Sequence, residues 1–137
     1  MAEGTQPPAS RRLARSEPTI LLIDDDEAVR ESLALLLRTH GYEVMTAPDG
    51  RRGLDEFRRL APSVVITDIL MPEEDGIGAI REMRRLKPDA KIVAISGGGK
   101  VDKADYLTVA EQLGADAAIE KVDLGKLIEI LPRLLAR

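Results

Sequence analysis

The sequence predicts an α/β fold, a doubly wound parallel sheet with helices on both faces. Three observations predict it. Five short apolar, β-branched runs alternate strictly with stretches of helical spacing. The runs are apolar almost throughout, as strands covered on both faces must be. Strict strand–helix alternation in turn sets successive strands parallel, joined by right-handed crossovers.

Each element can be justified in order. Residues 1–18 carry Pro7, Pro8 and Pro18 and no apolar period, so they read as a flexible tail. Arg11, Arg12 and Arg15 against Glu3 and Glu17 make the tail +1, which leaves −5 of the net −4 on residues 19–137. The first strand is Thr19–Ile23. Val29, Leu33, Leu36 and Leu37 then fall on one helical stripe, ended by Gly41, with His40 as an end cap. Tyr42–Thr46 is the second strand. Leu54, Phe57 and Leu60 mark the second helix, whose Arg51, Arg52, Arg58 and Arg59 form a solvated face. Val64–Thr67 is the third strand. Ile80, Met83 and Leu86 mark the third helix, closed by Pro88. Lys91–Ile95 is the fourth strand, and Leu107, Ala110 and Leu113 mark a fourth helix, ended by Gly114. Asp116–Ile119 is the fifth strand. Leu124, Leu127, Ile128, Leu131 and Leu135 mark a fifth helix, which Pro132 should kink or stop. There is no internal repeat, and a chain ending on that helix leaves no room for a second domain.

Composition removes several functions. The 137 residues hold no cysteine, so disulfides, thiolate catalysis and cysteine-ligated zinc are excluded. A single histidine excludes a histidine-rich metal site. Aromatics at 2% are too few for base stacking, and the negative net charge argues against general nucleic-acid binding. No apolar run is long enough to span a bilayer, and the N-terminus lacks the apolar segment of a secretory signal. A cytoplasmic protein without membrane insertion is expected.

Ligands of an open parallel sheet bind at the C-terminal ends of its strands. There the sequence places Asp24-Asp25-Asp26, Thr67-Asp68, Ser96-Gly97-Gly98-Gly99 and Glu120-Lys121. A single acid at a strand end most simply caps a helix or makes a turn. The set is different, because carboxylates crowded together resist sharing a site while ionised. A hard cation relieves that repulsion, and Mg²⁺ keeps waters that phosphate oxygens can replace. With one ammonium and one hydroxyl added, the parts suit phosphoryl transfer, with a carboxylate as nucleophile. Ser96–Lys100 (SGGGK) does not meet the GxxxxGK[ST] pattern of a phosphate-binding loop.

The segments ILLIDDDEAVR, VVITDILMPEEDGI, VAIS and GADAAIEK resemble the receiver domain of two-component response regulators, over residues 19–136. The resemblance implies a flavodoxin-like (βα)5 fold with strand order 2-1-3-4-5. It implies that Asp68, followed by Met71-Pro72 and Asp75-Gly76, is the phosphoacceptor. Asp25 is implied as a direct Mg²⁺ ligand, Asp24 as one acting largely through water, and the Leu70 carbonyl as the third protein ligand beside Asp68. Ser96 stands where the switch hydroxyl stands, and Lys121 where the phosphate-pairing lysine stands. The implied donor is a phosphohistidine on a sensor histidine kinase or histidine phosphotransfer protein, docking near the first helix. The implied output is a protein contact through the fourth helix, fifth strand and fifth helix of a stand-alone module, not an enzyme.

The sequence departs from that pattern in several places. Val122, not proline, follows Lys121, so a trans bond and a rearranged loop are expected. Ala118 stands where an aromatic switch ring is usual, and Tyr106 is the one candidate substitute. The stretch from Ser96 to Lys121 is longer than usual, and ordering of Gly97–Gly99 is a candidate replacement for the ring. Leu70 and Gly98 lack side chains that orient water, so a long-lived aspartyl phosphate is expected. Two alternatives stay open. One is a small phosphohydrolase using Asp24, on the strength of Asp24-x-Asp26, although Ala28 stands where Thr or Val belongs. The other is a degenerate receiver that binds partners without phosphorylation.

Overall fold

The computed structural model describes residues 19–69, 76–97, 108, 111, 112, 114–121 and 123–136. In chain order the elements are β1 (Thr19–Ile23), α1 (Glu27–Thr39), β2 (Glu43–Ala47), α2 (Gly50–Leu60), β3 (Val64–Asp68), α3 (Gly76–Leu86), β4 (Ile92–Ser96), β5 (Ala117–Glu120) and α4 (Leu124–Leu135). Helix α4 is thus the fifth helical stretch of the sequence. Of the fourth, residues 108, 111 and 112 are described, and they are helical. The strands form one parallel sheet ordered β2-β1-β3-β4-β5, the flavodoxin-like order.

Alternation along each strand sorts the core into two layers. Ile20, Leu22, Val64, Ile66, Val93 and Ile95 face α1 and α4, meeting Leu33, Leu37, Leu127 and Leu131. Leu21, Ile23, Val65, Ile92 and Ala94 face α2 and α3, meeting Phe57, Ile80 and Met83. Each such fully buried side chain contributes about 1.5–3 kcal/mol. Gly53 lets α2 lie close on β1, because a Cβ there would run into the Ile23 side chain.

Local chemistry sets the helix ends. The side chains of Asp26, Asp49 and Asp123 accept from the backbone N–H groups of Val29, Arg52 and Lys126 and so cap α1, α2 and α4. Gly41 (φ 92°) and Gly114 (φ 112°) take the left-handed conformation at helix ends. His40 caps α1, its Nδ1 lying 3.0 Å from the Leu36 carbonyl. Arg51, Arg52, Arg58 and Arg59 are exposed, as expected.

The differences from the sequence reading are small and have causes. Strand β1 has the expected limits, and the other four run one residue further toward their C-terminal ends. Asp68 stays in β3 because it pairs with Ile95, and Ser96 stays in β4 because it pairs with Glu120. Helix α4 does not stop at Pro132 but continues to Leu135. Pro132 lies on the exposed side, where the missing N–H faces water, while buried Leu131 and Leu134 hold the last turn on the sheet. Among the described residues, no helix is long and apolar enough to cross a membrane.

Candidate functional site

Register builds the site. Ile23 pairs with Thr67, so Asp24 and Asp68 leave β1 and β3 side by side. Asp68 pairs with Ile95 and Ser96 with Glu120, so the next residues, Gly97 and Lys121, also face each other. The Lys121 N–H donates to the Ser96 carbonyl at 2.9 Å, which fixes where the lysine side chain starts.

Three acids converge. One carboxylate oxygen each from Asp24, Asp25 and Asp68 lies within 4.8 Å of the others. Asp24 is 0% exposed and Asp68 3%, whereas Asp25 is exposed. The Lys121 ammonium lies 2.7 Å from Asp24 Oδ2 and 2.9 Å from Asp68 Oδ2. Burial pulls the Lys121 ammonium down, but the adjoining carboxylates of Asp24 and Asp68 outweigh it, and its pKa is raised overall. Asp24 is held from both sides: its Oδ1 accepts from the Asp26 N–H at 2.9 Å, and Arg30 Nη1 donates to its carbonyl at 2.9 Å.

Two buried polar atoms are incompletely satisfied. Ser96 Oγ has no hydrogen-bond partner among the described residues, and Ser96 is 1% exposed. Asp24 Oδ2 has close ion-pair contact with Lys121 but no well-angled hydrogen bond. Leaving a buried hydroxyl unpaired costs about 1–3 kcal/mol, which marks a place where a ligand is expected to supply the partner. The all-oxygen donor set suits a hard cation.

Of the sequence-predicted residues, Asp24, Asp25, Asp68, Ser96 and Lys121 come together. Leu70, the Lys121–Val122 bond, Tyr106, Gly98 and Gly99 lie outside the described residues, as does the tail. Asp26 does not join the acids, because its carboxylate caps α1. The sequence reading gave Arg30 no role, and it read Gly97 as a free loop residue rather than as the neighbour of the Lys121 stem. Arg30 sits one helical turn after the cap residue, in reach of the β1 end, which is a signal available in the sequence. Nothing in the sequence shows that Gly97 faces Lys121.

A family model for the response regulator receiver domain matches residues 20–132. The chain belongs to this family. Such receivers are signalling modules of two-component systems. The probable transcriptional regulator ycf27 of Galdieria sulphuraria is 37% identical over 123 residues, covering 90% of this receiver and 47% of that protein. The regulatory protein AtoC of Escherichia coli (strain K12) is 36% identical over 117 residues, 85% of this chain and 25% of that one. The chain therefore spans about half the length of the ycf27 relatives it matches, and less of AtoC. Among solved structures, a CheY-like receiver domain protein from Methanospirillum hungatei JF-1 has a TM-score of 0.78 at 27% identity, covering 88% of this chain and 94% of that one. The receiver domain of NtrX from Brucella abortus gives 0.78 at 31% identity, covering 85% and 98%.

Proposed function

We propose that this receiver takes a phosphoryl group onto Asp68 from a phosphohistidine, and that the phosphorylated form changes which protein it binds. The observation that carries the proposal is the buried Ser96 hydroxyl, without a hydrogen-bond partner among the described residues, on the strand next to the Asp68–Lys121 pair. An Asp68 oxygen bonds to phosphorus as the P–N bond to the donor imidazole breaks. The imidazole keeps the electron pair and takes a proton from water. Lys121 offsets charge on the transferring group, and Ser96 donates its hydroxyl hydrogen to a phosphoryl oxygen. Asp25, Asp68 and the Leu70 carbonyl would hold Mg²⁺, with Asp24 acting through water. When bound, the ion supplies divalent charge between carboxylates and phosphoryl oxygens.

The donor is a sensor histidine kinase or a histidine phosphotransfer protein. A cleft of about 420 Å³ opens between α1 and α4 beside Lys121, lined by Ala28, Val29, Ser32, Leu33, Leu124 and Leu127. It suits the apolar face of a donor helix docked along α1. The downstream protein binds the face made by the fourth helical stretch, β5 and α4. The receiver acts there in the cytoplasm. With Leu70 in place of a water-orienting side chain, the aspartyl phosphate is long-lived. Leu70→Asn should speed its loss about tenfold, read as phosphoprotein decay.

The test is incubation with Mg²⁺ and a small acyl phosphate, followed by mass-spectrometric location of the phosphoryl group. Label on Asp68 is expected. Label on Asp24 with rapid turnover would replace the proposal with the hydrolase. No label, with partner binding intact, would replace it with a constitutive binding module.

A further inference from the structure

We infer that Gly97 is a positioning residue: its missing Cβ opens the path by which the Lys121 stem crosses the end of β4 and sets its ammonium between Asp24 and Asp68. The inference rests on the receiver reading of the site and concerns residues of this chain that the family match does not assign. It starts from the register, which ends on the Ser96–Glu120 pair, and from the Lys121 N–H donating to the Ser96 carbonyl, which together bring Gly97 and Lys121 side by side just past β4 and β5. A Cβ built on Gly97 would lie 2.9 Å from Lys121 Cδ, 3.6 Å from Cε and 3.7 Å from Cγ. The nearest of these is closer than carbon atoms tolerate, and all three belong to the lysine stem.

What must yield decides the consequence. The obstructing atoms lie along a flexible side chain, not backbone, and Gly97 is outside the positive-φ residues. Alanine at this position therefore costs the fold little, while the stem has to swing aside. The ammonium at its end now touches two buried carboxylates at 2.7 and 2.9 Å. A displaced stem takes the ammonium away from at least one of them.

The ammonium also sits in the acid cluster that suits a divalent cation. In the metal-free protein Lys121 is the counter-ion of Asp24 and Asp68, and a cation entering the cluster works against its charge. Gly97 therefore sets two properties at once. It restrains metal affinity by keeping the lysine in place, and it keeps the lysine where a phosphoryl group on Asp68 needs it.

The experiment titrates the full chain with Mg²⁺ alone in a calorimeter, comparing the parent, Gly97→Ala, Lys121→Gln and the double variant. Gly97→Ala is expected to bind Mg²⁺ with a Kd about three- to tenfold lower than the parent's, while still unfolding cooperatively with a thermal midpoint no lower than that of Lys121→Gln. In the Lys121→Gln background the same substitution should leave the Kd unchanged, because the residue through which Gly97 acts is gone. Labelling of Asp68 by acyl phosphate should also slow in Gly97→Ala. An unchanged or weaker Mg²⁺ affinity in folded Gly97→Ala would overturn the inference, as would an equal effect of Gly97→Ala in both backgrounds. Failure of the receiver reading would show separately, as a parent protein that takes no label on Asp68.

Discussion

The two edges of the sheet use charge in opposite ways. At the N-terminal edges of β4 and β5, Arg84 spends its guanidinium on structure. It donates to the carbonyls of Pro88 and Ala90, at 2.6 Å each, to the Gly114 carbonyl, and to Asp116 at 3.2 Å. Asp116 also accepts from the Ile92 N–H at 2.7 Å. One arginine thus joins the end of α3 to the starts of two strands, and bidentate-capable donors meet fixed acceptors. At the opposite edge, one ammonium faces a cluster of three acids, and the buried Ser96 hydroxyl has no partner among the described residues. The lesson is that completeness marks the structural edge and incompleteness marks the functional one.

This contrast predicts where substitutions cost activity and where they cost stability. Asp68→Asn should lose essentially all acyl-phosphate labelling, about a hundredfold or more, because the proposed nucleophile is gone. Its thermal midpoint without Mg²⁺ should be unchanged or higher, since one of three crowded acids is neutralised. A large loss of stability would blur the division between the edges. Arg84→Ala should do the reverse. It should lower unfolding free energy by about 2 kcal/mol in denaturant titration while leaving Asp68 labelling unchanged.

Smaller effects sharpen the same picture. Ser96→Ala removes a buried hydroxyl that has no partner among the described residues, so it should leave the free protein as stable or stabilise it by up to about 1 kcal/mol. The same variant should be less stabilised by a phosphoryl mimic than the parent. Lys121 contributes stability that is present at neutral pH, because its raised pKa means the ammonium is favoured in the folded state. That contribution should persist as pH rises toward the ordinary lysine value of 10.5 and be lost as pH passes above it. The stability gap between parent and Lys121→Gln, followed by denaturant titration across alkaline pH, should close in that window. Ala61 caps α2 in the left-handed conformation at φ 48°. Ala61→Gly should stabilise by about 0.5–1 kcal/mol without touching labelling.

The functional edge was far more legible in the sequence than the structural one. Apolar runs locate strands, and polar residues that end them must sit at the sheet edge, so Asp24, Asp68, Ser96 and Lys121 follow from one pattern. Their one-residue boundary shifts arise because Asp68 and Ser96 are polar yet buried in the ladder, which hydropathy alone cannot show. Arg84 and Asp116 are 32 residues apart and lie on no shared period, so their contact appears only in three dimensions. Gly97 was legible as a conformationally free residue but not as the partner of a lysine stem. Pro132 was misjudged because the breaking rule concerns the proline alone, whereas buried Leu131 and Leu134 decide the last turn.

The most direct measurement is a crystal structure of the full chain grown with Mg²⁺ and beryllium fluoride, a mimic of an acyl phosphate. The fluoride adduct should sit on Asp68, with Ser96 Oγ and Lys121 Nζ both within hydrogen-bonding distance of its fluorines and the metal against Asp25. An adduct on Asp24, or one on Asp68 that leaves Ser96 Oγ without a partner, would contradict the assignment of the incomplete edge to phosphoryl capture.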